Sequence, residues 1–114
     1  MAHVFASDIH LSSESPDKIA LFESFLIRTA KSAEALYLLG DVFEIWLGDD
    51  DDSDPHPQII DALRRFTNTG TKLFVMRGNR DFLFGLDFAA ATGAGLLPDW
   101  HTIDLFGVPT LLTH

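Results

Sequence analysis

Ala35-Leu36-Tyr37-Leu38-Leu39-Gly40-Asp41 is the stretch on which the fold turns. An unbroken apolar run with no polar alternation predicts a strand covered on both faces, as in a parallel sheet. Gly40 stops the run and permits a sharp turn with close backbone approach. Asp41 then stands just past the strand's carboxyl end, the edge at which open α/β sheets gather their ligands. The same residues thus predict a fold class and a candidate site.

Outward from this strand, the pattern repeats. His3 to Ser7 reads as a short apolar strand. Ser15-Pro16 reads as an N-cap followed by proline at the first helical position. Ile19, Phe22, Leu26 and Ala30 then recur at helical spacing, to about Ser32. Beyond Asp41 comes an acidic loop. Pro57 opens a second helix carrying Ile59, Ile60, Leu63 and Phe66 on one side, ended by Gly70. Lys72 to Met76 is a third strand stopped by Gly78, and Phe82 to Thr92 a short helix closed by Gly93. His101 to Leu105 and Val108 to Thr113 read as two strands joined across Phe106-Gly107. Strand alternating with helix predicts an α/β fold, one sheet with flanking helices, in a single domain over residues 1–114.

Composition bounds the chemistry. With 114 residues, 46% of them apolar, ten Phe and two Trp, the chain has material for one modest core. It contains no Cys, which excludes disulfides and thiolate metal sites. The opening Met1 to Ala6 lacks the basic flank and length of a signal peptide, and no apolar run approaches the roughly 20 residues of a membrane span, so a soluble, cytoplasmic chain is expected. A net charge of -9 argues against a nucleic-acid backbone as partner, since such binding relies on clustered Lys and Arg. Excess acid also suits divalent cations, although on charge alone simple solubility is the favoured reading.

The residues just after the strands carry the sharper signal. After the first come Asp8 and His10, after the second Asp41, after the third Asn79 behind Gly78, and after the last His114. Two carboxylates, an amide and two imidazoles suit Mn, Fe, Zn or Co better than Ca. Two carboxylates about 4 Å apart repel by roughly 4 kcal/mol at an effective dielectric of 20, which a bound cation would turn into attraction. Other residues have plainer readings. The run Asp49, Asp50, Asp51, Asp52 and Asp54 reads as a solvated loop. His3, His56 and His101 read as structural or surface, and Asp87, Asp99 and Asp104 as surface. Phe43, Trp46, Phe82 and Phe84 read as core packing before a lipid or uridine pocket. Arg80 either pairs with Asp81 or contacts phosphate.

Asp8-Ile9-His10, Gly40-Asp41, Gly78-Asn79-Arg80-Asp81 and His114, in this order, resemble the calcineurin-like metallophosphoesterase family. Arg80 and the stretches Gly40 to Trp46 and Gly48-Asp49-Asp50 narrow the likeness to a branch that acts on a UDP-linked acylated glucosamine in lipid A biosynthesis. The resemblance implies an α/β/β/α sandwich and a dinuclear Mn2+ centre. In it Asp8 and His10 would bind the first metal, Asp41 would bridge both, and Asn79 and His114 would bind the second. Arg80, with Asn79, would act on the phosphates. The implied reaction is hydrolysis of a pyrophosphate bond to UMP and an acylated sugar 1-phosphate, with peripheral contact to the inner membrane. The family's later Gly-His-x-His does not occur in these residues. The chain is therefore expected to be the N-terminal part of the domain, to lack the second sheet and the acyl-chain cap, to be inactive alone and to self-associate. A general phosphodiesterase or phosphatase of the family, or a non-catalytic scaffold on its fold, are the competing readings.

Overall fold

Helix α1 spans Pro16–Ser32. Proline is tolerated in a first turn because its missing N–H has no partner there. Asp17 in that turn and Lys31 in the last both complement the helix dipole. Ser15 stands at the N-cap, as the sequence predicts, but its side chain makes no capping hydrogen bond. Its carbonyl instead accepts from the Lys18 and Ile19 amides at 3.1 and 3.3 Å. The computed structural model describes residues 2–12, 14–43, 55–76, 86–98 and 100–113, with only the backbone of Leu86 and Asp87.

The remaining elements are β1 (Ala2–Ala6), β2 (Ala33–Leu38), α2 (His56–Asn68), β3 (Lys72–Met76), α3 (Leu86–Thr92), β4 (Gly95–Leu97), β5 (Trp100–Leu105) and β6 (Val108–Thr113). Strands β1 to β4 form one sheet in chain order, every neighbour pair parallel. This is the predicted α/β class, with the helices as crossovers.

Alternation along the strands sends side chains to two layers. On one face, Leu36, Leu38, Leu73 and Val75 pack with Ile19, Phe22 and Leu26 of α1, Ile59, Leu63 and Phe66 of α2, and Phe88 of α3. Each large apolar side chain so buried contributes about 1.5–3 kcal/mol. On the other face, Ala35, Tyr37 and Met76 pack with Leu112 and Ile103. Those last two belong to β5 and β6, which pair antiparallel with each other and form a second sheet.

One expectation therefore changes: a second sheet begins within this chain, formed by the two strands that the sequence joins across Phe106-Gly107. The cause is local: Phe106 and Gly107 both have positive φ, 53° and 88°, the turn that joins two strands into a tight hairpin. Asp104 Oδ1 accepts from the Gly107 amide at 2.7 Å and fixes that turn. The parallel sheet takes β4 as its fourth strand, a three-residue element too short to show a period. Phe106 meets His3 edge-on at 5.3 Å near the start of β1, and Leu112 joins the cluster formed by Ala35, Tyr37 and Met76.

Candidate metal centre

Beyond the ends of β1 and β2, the two chains stay zipped. The Leu39 amide donates to the Ala6 carbonyl at 2.8 Å, Asp8 to Gly40 at 3.1 Å, His10 to Asp41 at 2.9 Å and Leu11 to Val42 at 2.8 Å. A parallel bridge between Leu11 and Phe43 closes the pairing. To stay in register while leaving the sheet, the backbone turns left-handed: Asp8, His10 and Asp41 have φ of 55°, 54° and 53°. Gly40, at φ 98°, supplies the sharp turn expected of it. Only one other described non-glycine residue, Phe106, has positive φ. Left-handed backbone thus concentrates at the candidate ligands, as stored strain commonly does at functional sites.

These turns bring three side chains together. One donor atom each from Asp8, His10 and Asp41 lies within 4.8 Å of the others. His10 Nε2 stands 3.8 Å from Asp8 Oδ1 and 3.8 Å from Asp41 Oδ2. That is too long for a hydrogen bond, but it suits donors arranged around a shared ion with ligand distances near 2.0–2.2 Å. Asp41 is buried, with 5% of its surface exposed, whereas Asp8 is exposed. A buried carboxylate beside a second one is costly without a counter-charge. The donor set fits a divalent first-row cation.

Ser7 was not among the sequence candidates. Its hydroxyl donates to Asp8 Oδ2 at 3.0 Å and leaves Oδ1 on the His10 side. A serine before an aspartate is too common a pair to signal this. Asn79, Arg80, Asp81 and His114 lie outside the described residues, as do the Asp49 to Asp54 run, Trp46, Phe82, Phe84 and Asp99. Phe43 is fully buried and belongs to the core, in line with its plainer reading. His56 is buried against Phe43, and His3 sits between Glu34, at 3.2 Å, and the rings of Tyr37 and Phe106. Both are structural. His101 is half-buried and Asp104 is an exposed turn residue.

Fold and cluster together define an α/β protein whose parallel sheet gathers a candidate cation site at its carboxyl edge. The relatives carry a more particular name. Over all 114 residues the chain is 46% identical to UDP-2,3-diacylglucosamine hydrolase of Hahella chejuensis and 50% identical to that of Pseudomonas paraeruginosa. A third hydrolase of that name, from Pseudomonas aeruginosa, is 48% identical over the same length. The chain spans about half the length of the curated relatives it matches, 47% and 48% of the first two. No family model matches the chain. Among solved structures, a protein of unknown function from Aquifex aeolicus superposes with a TM-score of 0.62 at 18% identity, covering 98% of this chain and 59% of that one. At that identity the likeness concerns the fold alone.

Proposed function

We propose that this chain supplies part of the active site of a metal-dependent hydrolase that cleaves the pyrophosphate bond of UDP-2,3-diacylglucosamine. Water would add to one phosphorus and the bridging P–O bond would break, giving UMP and 2,3-diacylglucosamine 1-phosphate. The observation that carries the reading is the convergence of Asp8, His10 and Asp41 donors within 4.8 Å, in a chain half identical to hydrolases of that name. Asp8 and His10 would hold a first cation and Asp41 would bridge to a second, with Asn79 and His114 completing it. Mn2+ is the ion proposed. When bound, it would supply Lewis acidity and lower the proton affinity of water near neutral pH. The planar guanidinium of Arg80 would clamp phosphate oxygens and orient them. No helix among the described residues is long and apolar enough to cross a membrane. The reading includes a cytoplasmic setting, peripheral contact with the membrane that holds the acylated substrate, and self-association of the 114-residue chain through its hairpin face.

The test is turnover of UDP-2,3-diacylglucosamine by the whole protein with Mn2+, compared with a simple aryl phosphodiester. Asp41→Asn is expected to abolish activity and weaken Mn2+ binding, and undiminished turnover at saturating Mn2+ would refute the bridging role. Arg80→Ala is expected to slow turnover while metal content stays at the wild-type level. Loss of metal in that variant would make Arg80 a support for the centre instead. Preference for the aryl ester would favour a general phosphodiesterase.

A further inference from the structure

Strained ligand residues hold their conformation only where the surroundings over-determine it, so the packing beneath the two ligand loops bears on the metal. The loops end in Leu11, Val42 and Phe43, exposed by 1%, 0% and 0%. Phe43 touches residues of two helices. Its ring meets the His56 imidazole, at the first residue of α2, edge-on at 4.6 Å, and the Phe88 ring of α3 edge-on at 6.5 Å. Both contacts are the edge-to-face geometry that aromatic pairs prefer. Through the Leu11–Phe43 bridge the same residue ties the Asp41 loop to the Asp8–His10 loop. Phe43 lies two residues from Asp41 and one backbone bridge from the loop that carries His10.

We propose that Phe43 is the positioning residue of this centre. Locked between α2 and α3, it fixes the left-handed Asp41 against Asp8 and His10 and so sets cation affinity without touching the cation. The inference rests on the metal-centre reading above. Supports behind a metal's ligands typically change affinity by about 10–100-fold when removed.

The experiment titrates Mn2+ alone into the whole protein, followed by electron paramagnetic resonance of the free ion, for wild type, Phe43→Leu and Phe43→Tyr. Thermal melts with and without Mn2+ run alongside. Phe43→Leu is expected to bind Mn2+ at least 10-fold more weakly and to lose most of the Mn2+-induced rise in melting temperature. Phe43→Tyr keeps both ring contacts and is expected to retain near wild-type affinity. A merely structural role would lower the melts with and without Mn2+ equally and leave affinity unchanged, and that result would overturn the proposal. If Phe43→Leu fails to fold, Phe43→Tyr and His56→Gln decide: weak binding by the first, or unchanged affinity in the second, overturns it. Absence of Mn2+ binding by folded wild type would instead remove the metal-centre reading and the inference with it.

Discussion

At Asp8 the backbone and the side chain make opposing demands. A left-handed φ of 55° is easy for glycine and costs other residues roughly 1–2 kcal/mol, yet only a carboxylate can ligate. Asp8→Gly is therefore expected to raise the stability of the metal-free chain by about 0.5 kcal/mol while removing Mn2+ stabilisation. Asp8→Val, which removes the same charge but adds a β-branch, is expected to lower stability by about 1–2 kcal/mol. Urea unfolding without metal compares them, and equal effects would show that the turn carries no strain. At this scale Asp8, His10 and Asp41 were legible because each follows an apolar strand at a fixed offset. Their common left-handed backbone was not, since Asp and His carry no signal as strong as glycine's. The partnership of Ser7 with Asp8 and of Phe43 with His56 depends on residues far apart or too ordinary to stand out.

The helices were the most legible elements. Pro16 and the 3.6-residue period set α1 at Pro16–Ser32, and β3 at Lys72–Met76 matches its apolar run. The hairpin across Phe106-Gly107 was legible too; what the sequence hid was that it forms a sheet of its own, and that β4, three residues long, is the parallel sheet's fourth strand. The glycines after α2 and α3 give a sharper test of element packing. Gly70 has φ +96° with nothing within 4 Å of an added Cβ, whereas at Gly93, φ +77°, that Cβ would lie 2.7 Å from Thr67 Oγ1. Thr67 Oγ1 is itself held, donating to the Thr92 carbonyl at 2.7 Å. Gly70→Ala is expected to cost about 1 kcal/mol from backbone strain alone, and Gly93→Ala about 2–3 kcal/mol because overpacking is added. Equal losses in denaturant melts would contradict this. The sheet's hairpin face offers a pH test. Phe5, Tyr37 and Phe74 stack across β1, β2 and β3 at 4.8 and 5.1 Å. Burial, and then the charge of Glu34, push the Tyr37 hydroxyl above its ordinary value of 10.0. The unfolded chain therefore releases this proton first, so stability is intact below pH 10 and falls as pH rises from there through the folded value. Tyr37→Phe is expected to flatten that fall, and an unchanged slope would assign it to other groups.

At the scale of the fold, the parallel sheet is covered by helices on one face and by the hairpin on the other, and on the hairpin's outer face Trp100, Thr102 and Leu111 are exposed. Thr102 pairs with Leu111 and Trp100 with Thr113, so Trp100 and Leu111 are diagonal neighbours on that face. They are 69% and 55% exposed. Among the described residues, β5 and β6 form a two-stranded sheet of their own, and strands at a sheet edge are the ones another chain can pair with. A net charge of -9 opposes association at long range, but at physiological salt that repulsion decays over about 8 Å, whereas apolar contact and strand pairing act at the surface itself. The 114-residue chain is therefore expected to self-associate at micromolar concentration, more strongly as salt rises. Leu111→Lys puts a charge beside Trp100 and is expected to shift the population toward monomer by about tenfold in dissociation constant, equivalent to about 1.4 kcal/mol. Sedimentation velocity over a concentration series reads this out. A single monomeric boundary for the unaltered chain throughout that series would mean that the exposed face is too small, or too well hydrated, to drive association.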